Sequence, residues 1–223
     1  MSRQNFPVQK SNGFLDRFIL KKRLEMYKVF LREFPEKLCD NVLDVGVAAE
    51  SDPISVNFFE ENFQPKNKII ALSNQNASFL ETRYPGLKFQ LGDAKCLPFS
   101  NTSIDVIFSS AVIEHVGSLS DQVKMIGECF RVCKKGVFLT TPNRWFPIDP
   151  HTLIPLIHWL PKNYHRKVLK KLGFIFYSQE KNLNLLHTKA FHKMCRDIGI
   201  TNYSIKKVRT FGFISNLILI IRK

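Results

Sequence analysis

Residues 41–46 read Asn-Val-Leu-Asp-Val-Gly, a short run of branched apolar residues that carries an aspartate and ends in a glycine. Branched residues favour a strand, and glycine permits the tight turn that follows one. Four similar runs, separated by stretches with helical spacing, cover residues 68–72, 87–91, 104–109 and 137–141. Strands that alternate with helices are typical of parallel βαβ units. The sequence therefore predicts an α/β fold.

The order of the predicted elements indicates one domain. Helices are predicted over residues 14–34, 54–62, 76–83, 113–132 and 188–198, and two further strands over 203–210 and 214–221. Residues 143–187 contain four prolines and show no repeating period, which predicts an insertion after the fifth strand. We assign residues 1–40 to an N-terminal tail and helix, and residues 41–223 to a single domain.

The chain is strongly basic. Its 223 residues include 33 Lys and Arg against 19 Asp and Glu, which gives a net charge of +14. Such a charge attracts nucleic acid, anionic lipid or phosphorylated substrates. The basic residues fall in short groups, and none forms the long arm of a typical nucleic-acid-binding tail. A solvated basic surface and an anionic partner are both consistent with this pattern.

The cysteines and the apolar segments indicate the compartment. The five cysteines are scattered, which fits reduced thiols in a cytosolic protein. Cys129 and Cys133 lie one helical turn apart, but no second pair or neighbouring histidine completes a zinc site, so no metal is predicted. No signal peptide is predicted, and the longest apolar run, residues 217–221, is too short to span a bilayer. A cytoplasmic protein, soluble or peripheral to the inner membrane, is expected.

Four landmarks after the second strand carry a family resemblance. They are Leu-Gly-Asp-Ala at 91–94, Leu-Pro-Phe at 97–99, Ile-Asp-Val-Ile-Phe-Ser-Ser at 104–110 and Ala-Val-Ile-Glu-His-Val at 111–116. Their order and spacing resemble the class I S-adenosylmethionine-dependent methyltransferases of small-molecule type. The resemblance covers residues 41–142. It implies a Rossmann-like, seven-stranded, mostly parallel sheet with helices on both faces, and S-adenosylmethionine as cofactor.

The resemblance also implies which residues bind the cofactor. Asp44 and Gly46 match the motif that faces the methionine part; Asp93 and Ala94 match the residues beside the adenine; Ser109 and Ser110 match the strand end beneath the cofactor. Ser73 and Asn74 stand where an acidic residue usually holds the ribose. Ala48 and Glu50 replace the usual second and third glycines, which disfavours a pyrophosphate-containing cofactor. The carboxyl ends of parallel strands are where such sheets bind ligands, in agreement with these roles.

The acceptor side is predicted from polar residues near the fourth strand and in the insertion. His115 is the candidate general base, since an imidazole titrates near neutrality; the alternative is a helix-start residue that shapes the pocket. Residues 141–161 combine polar donors, aromatics and prolines, and they resemble a Thr-Pro-Asn-Arg-Trp-Phe-Pro to His-Trp-Leu-Pro segment of a bacterial subgroup. The candidate acceptor-binding residues are Asn143, Arg144, Trp145, His151 and His158. The alternative is an irregular packing cap.

Three functions follow from these patterns. The leading one is methyl transfer to oxygen, nitrogen or carbon of a small-molecule or lipid-linked acceptor, which the basic charge predicts to be anionic. A non-catalytic relative that binds the cofactor or regulates is the alternative, and a nucleic-acid methyltransferase is disfavoured because its usual motifs are absent. Residues 153–177 alternate apolar and basic side chains, which predicts peripheral contact with an anionic membrane or, alternatively, a core-covering segment with solvated lysines.

Overall fold

A seven-stranded sheet organises the computed structural model, which describes residues 13–49 and 56–223. The strands are β1 (Val42–Val45), β2 (Ile69–Ser73), β3 (Lys88–Leu91), β4 (Ile104–Ser110), β5 (Cys133–Pro142), β6 (Tyr203–Thr210) and β7 (Phe213–Arg222). Their order in the sheet is β3-β2-β1-β4-β5-β7-β6. β1 to β5 run parallel, and β7 pairs antiparallel with both β5 and β6. The predicted Rossmann-like, mostly parallel sheet is confirmed.

Six α-helices connect or flank the strands in the described residues. They are α1 (Gly13–Glu33), α2 (Phe58–Asn62), α3 (Phe79–Arg83), α4 (Leu119–Val132), α5 (Lys162–Lys171) and α6 (Thr188–Asp197). Single 3-10 turns lie at Glu36–Leu38, Lys66–Lys68, Ile113–His115 and Ile157–Trp159. The predicted helix over 54–62 is described from residue 58 onward as a helix, and residues 54 and 55 lie outside the described residues.

The helix predicted over 113–132 is divided, and this prediction is wrong at its start. Gly117 has a φ of 117°, a conformation that an α-helix excludes. Ser118 then caps α4: its hydroxyl accepts from the Asp121 backbone N–H, and the Asp121 carboxylate accepts from the Ser118 N–H at 2.9 Å. This capping box starts the helix at Leu119. Residues 113–115 are thereby free to turn towards the end of β5.

The start of β5 and the helix within the insertion also differ from the prediction. β5 begins at Cys133 rather than at residue 137, directly after α4. The insertion contains a helix, α5, that has no visible apolar period because only His165 and Leu169 are buried in it. These two residues are four positions apart, so one narrow stripe suffices to dock the helix.

The two faces of the sheet bury different residues. Phe30, Phe59, Phe108 and Phe138 meet on one face, where the rings of Phe59 and Phe108 stack at 4.2 Å. The opposite face buries aliphatic strand residues against α4 and α6. Successive strand residues alternate between the faces, which is the geometry of a sheet buried on both sides. Seven of the twenty phenylalanines are buried in the core on the side of α1 and α2.

Candidate functional site

The bend after β1 places backbone at the carboxyl edge of the sheet. Gly46 has a φ of 96°, which glycine adopts without strain. A Cβ on Gly46 would lie 2.3 Å from Cγ2 of Val112, so the position has no room for a side chain. The Gly46 N–H donates to the Leu72 carbonyl in β2 at 2.7 Å, which fixes the bend. The predicted cofactor residue Gly46 thus lies at this edge as bare, exposed backbone.

The ends of β2 and β3 bring four more predicted cofactor residues to the same edge, namely Ser73, Asn74, Asp93 and Ala94. Ser73 is buried, whereas Asn74 and Asp93 are exposed and Ala94 is half-buried. One oxygen of Asp93 accepts from the Lys95 backbone N–H at 2.9 Å, and the other lies 3.7 Å from the Lys95 ammonium. Asn74 and Asp93 therefore offer polar groups that a ligand can reach.

The end of β4 carries Ser109 and Ser110. Ser109 is fully buried, and its hydroxyl donates to the Val45 carbonyl at 2.7 Å. That bond ties β4 to β1. The Ser110 hydroxyl accepts from the Thr140 hydroxyl at 3.2 Å. Both serines lie at the predicted edge, and their contact with a cofactor stays a prediction.

Asp44 forms a buried acidic pair with Glu60 of α2. Burial, and then the charge of Glu60, raises the pKa of Asp44; burial also raises the pKa of Glu60. The Glu60 oxygens have no hydrogen-bond partner apart from this carboxyl. A carboxyl pair in this setting retains a proton and favours a positive charge beside it. Arg23 of α1 is a buried cation whose charge acts on both Asp44 and Glu114.

Beyond the ends of β4 and β5, Glu114 and His115 meet the insertion. Glu114 is fully buried; one of its oxygens accepts from the Thr141 hydroxyl at 2.9 Å, and the other has no hydrogen-bond partner. Nδ1 of His115 lies 2.7 Å from the Asn182 carbonyl. The rings of His115 and His151 are 4.9 Å apart and nearly perpendicular. The structure therefore brings together two histidines that the sequence predicted as separate groups.

A second carboxylate orients His151. Oδ1 of Asp149 lies 2.9 Å from Nδ1 of His151, and Oδ2 accepts from the Thr152 hydroxyl at 2.9 Å. Asp149 is fully buried. An ionised carboxylate at Nδ1 keeps the proton on that nitrogen and leaves Nε2 as the basic atom. The arrangement resembles an acid–imidazole pair in which the acid positions the base.

The electrostatics separate the two histidines. Burial, and then the charge of His151, lowers the pKa of His115 to about 3, although the Asn182 carbonyl opposes this shift. Burial also acts to lower the pKa of His151, but its hydrogen bond to Asp149 and the charges of Asp149 and Glu114 outweigh burial and raise it. His115 is therefore neutral at physiological pH, and His151 is the more basic of the two.

The same cluster contains a donor set for a metal ion. One oxygen of Glu114 and one ring nitrogen from each of His115 and His151 lie within 4.8 Å of one another. Among residues 13–49 and 56–223, this is the group of carboxylate and imidazole donors close enough to share an ion. The sequence analysis missed it because Glu114 and His115 are distant from His151 in the chain, and only folding brings them together.

Part of the chain is similar in sequence to known proteins. Residues 59–141 match a family model described as a methyltransferase domain. A probable S-adenosylmethionine-dependent methyltransferase from Mycolicibacterium smegmatis is 40% identical over 81 residues, which cover 34% of this chain and 30% of that relative. The matched region thus spans less than a third of the relative's length.

Solved structures agree at the level of the fold. A magnesium protoporphyrin IX methyltransferase from Synechocystis has a TM-score of 0.56, with 14% identity over 97% of this chain and 90% of that one. A methyltransferase from Methanosarcina mazei has a TM-score of 0.52, with 18% identity over 87% of this chain and 96% of that one. Together these findings show that the chain shares the fold of S-adenosylmethionine-dependent methyltransferases and that residues 59–141 match a methyltransferase domain.

The predicted acceptor residues differ in burial and in hydrogen bonding. Asn143 and Arg144 are buried and donate to backbone carbonyls, of Ile214 at 2.9 Å and of Leu160 at 2.8 Å. His158 is buried, and its Nε2 lies 2.7 Å from the Phe146 carbonyl. Trp145 is 49% exposed. Asn143 therefore ties the start of the insertion to β7, whereas Arg144 and His158 bond to other parts of the insertion, and an acceptor role for these residues stays a prediction.

The sequence did not indicate two residues of the candidate site. They are Asp149 and Glu114, whose carboxyl groups lie close to the ring of His151. The Asp-Pro-His run at 149–151 was the available signal, because an aspartate two residues before a histidine reaches its ring. Glu50, which replaces one of the usual glycines, lies outside the described residues. None of the helices in 13–49 and 56–223 combines the length and hydropathy needed to cross a bilayer.

Proposed function

We propose that the protein transfers a methyl group from S-adenosylmethionine to a small-molecule or lipid-linked acceptor, and that His151 accepts the acceptor's proton. The observation that carries the proposal is the Asp149–His151 pair beside Glu114, just beyond the ends of β4 and β5. Arg23 links this cluster electrostatically to Asp44 at the end of β1. The proton acceptor and the cofactor edge are therefore neighbours.

The residues at the edge fit S-adenosylmethionine. The cofactor carries a positive sulfonium and an ammonium. The buried pair of carboxyl groups of Asp44 and Glu60 favours a cation beside it. Gly46 lets the backbone approach a ligand closely. Asn74 and Asp93 are exposed acceptors at the ends of β2 and β3. When bound, the cofactor supplies an electrophilic methyl group on sulfur.

The chain's own residues then supply position and a proton acceptor. An acceptor hydroxyl or amine must lose its proton as its lone pair forms the new bond to carbon. Nε2 of His151 takes that proton, and Asp149 stabilises the imidazolium that results. His115 stays neutral because burial lowers its pKa to about 3, so it adds no second positive charge. General-base assistance of this kind contributes about 100- to 10,000-fold to the rate.

The test is transfer of label from methyl-labelled S-adenosylmethionine into aqueous and lipid extracts of cells that lack the gene. The wild-type protein should label an extract component, and His151→Ala should lower the rate by about 100-fold or more while cofactor affinity changes less than about twofold. Asp149→Asn should act in the same direction. His192→Ala is the matched control, because His192 is exposed and bonds only to the Tyr203 hydroxyl among the described residues.

Two results would overturn the assignment of His151. Equal rates for wild type and His151→Ala would remove its proposed role. Loss of activity on chelation, followed by recovery with a divalent metal, would assign the Glu114, His115 and His151 cluster to metal binding instead. Cofactor binding without transfer to any extract would support the non-catalytic alternative. Transfer into RNA or DNA would support a nucleic-acid acceptor.

A lipid-linked acceptor is favoured by the surface of the insertion. Large apolar side chains are exposed there: Leu153, Leu156, Trp159, Leu160, Tyr164, Leu172 and Ile175 are each between 39% and 63% exposed. Lys167, Lys170 and Lys171 are exposed on α5 between them. Apolar side chains next to cations fit the boundary of an anionic membrane. We infer peripheral contact with such a membrane through this surface.

A further inference from the structure

Five basic side chains of the insertion line one small cavity. Arg144 follows β5, His158 lies in the turn Ile157–Trp159, and Lys162, His165 and Arg166 belong to the first half of α5. Residues 183–185 complete the lining. The rings of His158 and His165 are 6.4 Å apart. The sequence spacing gave no sign of this convergence, because it depends on how α5 docks.

The positive charge in this cavity is only partly balanced. Arg166 forms a salt bridge to Glu180 at 3.0 Å. Neither Arg144 nor Lys162 has a carboxylate within salt-bridge distance among the described residues, and Arg144 is only 9% exposed. Burial, and then the neighbouring cations, lowers the pKa of both Arg144 and Lys162. Two neighbouring cations that no carboxylate neutralises favour an anion between them.

Two buried ring nitrogens are also left without a partner. Within the part of the chain that the structure describes, Nδ1 of His158 and Nε2 of His165 have no hydrogen-bond partner, although the residues are 1% and 8% exposed. Nε2 of His158 donates to the Phe146 carbonyl, so its Nδ1 accepts a hydrogen bond in the neutral ring. Buried polar groups in native proteins are rarely unpaired without a ligand or water. A ligand with both oxygens and an O–H would satisfy such groups.

A larger cavity adjoins this one. It has a volume of about 280 Å³, shares Lys162 and Leu185 with the first, and is otherwise lined by Leu119, Leu186, His187, Ala190 and two further lysines, Lys189 and Lys193. The first cavity itself holds about one water molecule, so binding of a larger anion would require the Lys162 ammonium to turn away from its partner Asn184. The second cavity supplies room for the remainder of such a ligand.

We propose that these joined cavities bind a phosphate group of the methyl acceptor. A phosphate monoester carries a charge of about −1.5 to −2 near neutrality, which matches the unbalanced charges of Arg144 and Lys162, and its singly protonated form presents both oxygens and an O–H. A carboxylate has half the charge and no donor. Residues 182–184 connect the two sites, because the Asn182 carbonyl bonds to His115, the Asn184 N–H donates to the Glu114 carbonyl, and Asn184 Oδ1 accepts from Lys162. That the phosphate belongs to the methyl acceptor rests on the proposed function, whereas phosphate binding at this site does not.

Calorimetric titration with inorganic phosphate tests the site without any methyl transfer. Wild type should bind phosphate more tightly than sulfate, which lacks the O–H. Lys162→Gln should lower phosphate affinity by about 10-fold or more, because it removes a charge-assisted hydrogen bond. Lys181→Gln is the matched control: Lys181 is exposed and lies next to the lining segment 182–185, and its loss should change the affinity less than about twofold. Lys162 is partly exposed and Lys181 is exposed, so both variants should fold.

A second pair of ligands distinguishes a lipid headgroup from a soluble phosphorylated molecule. Binding of a short-chain phosphatidic acid at least about 10-fold tighter than glycerol phosphate would assign a lipid headgroup, with its apolar part in the larger cavity. Equal affinities would assign a soluble phosphorylated molecule, and the phosphate site would stand in both cases. Absence of phosphate binding, or equal losses in Lys162→Gln and Lys181→Gln, would overturn the proposal. S-adenosylmethionine binding measured on the same variants separates this failure from failure of the proposed function.

Discussion

Replacing Gly46 with alanine tests whether the bend after β1 excludes a side chain. The added Cβ meets two strains at once. A non-glycine residue at a φ of 96° costs about 1–2 kcal/mol. The Cβ would also lie 2.3 and 2.7 Å from the two methyl carbons of Val112, and overpacking of this kind costs about 1–3 kcal/mol. Gly46→Ala should therefore lower the free energy of unfolding by about 2–5 kcal/mol.

Chemical denaturation without cofactor measures this loss, so that any change in ligand affinity stays separate. The control is Gly127→Ala in α4, where a Cβ meets nothing within 4 Å; it should raise the free energy of unfolding by about 0.5–1 kcal/mol. Adding Val112→Ala to Gly46→Ala should relieve the contact but leave the backbone strain. The double variant should then be more stable than the sum of the single losses by about 1–3 kcal/mol. Gly46→Ala within about 0.5 kcal/mol of wild type would refute the reasoning.

Three further outcomes are expected. Glu60→Gln should stabilise the protein at neutral pH by about 1–3 kcal/mol, because it removes an ionisable carboxyl from the buried Asp44–Glu60 pair. Since burial raises the pKa of Glu60 in the folded state, the gain should vanish below the unfolded value of about 4.3 and grow as the pH rises, and a gain independent of pH in denaturation experiments would contradict it. Ser118→Ala should lower the free energy of unfolding by about 0.5–2 kcal/mol through loss of the α4 cap, whereas Ser120→Ala in the first turn should change it little. Replacing Lys167, Lys170 and Lys171 with glutamine should lower binding to anionic vesicles at low salt by roughly 100-fold, at about 1 kcal/mol for each cation, and an unchanged sedimentation would remove the membrane contact.

The sequence predicted β1, β2 and β4 well because each is a continuous run of mostly buried, mostly apolar residues. β1, β2 and β4 alternate between two buried faces, so their position in the chain was visible without any partner. The same was not true of α5. Only His165 and Leu169 are buried in this helix, and so narrow a buried stripe can be recognised only when the surface on which the helix packs is known. The early end of the Ile113–His115 turn depended on Gly117 and on the Ser118–Asp121 capping box.

The site was predictable where it depends on strand ends and not where it depends on the insertion. Gly46, Asn74 and Asp93 follow strands, and parallel strands bring their carboxyl ends together. His115 and His151 were both named, but their contact at 4.9 Å arises from the return of the insertion to the sheet. The difference in basicity between them follows from burial and from Asp149, neither of which the local sequence specifies.

Binding of S-adenosylmethionine to the purified protein is the most direct test of the central claim. Calorimetry should show one site, with affinity lowered about 10-fold or more by Asp93→Ala, since a charged hydrogen-bond acceptor is lost. Asp40→Ala is the control, because Asp40 is an exposed aspartate that precedes β1 at the opposite edge of the sheet. NAD should produce no comparable heat. Absence of S-adenosylmethionine binding, or equal affinity in wild type and Asp93→Ala, would contradict the assignment of the carboxyl edge as the cofactor site.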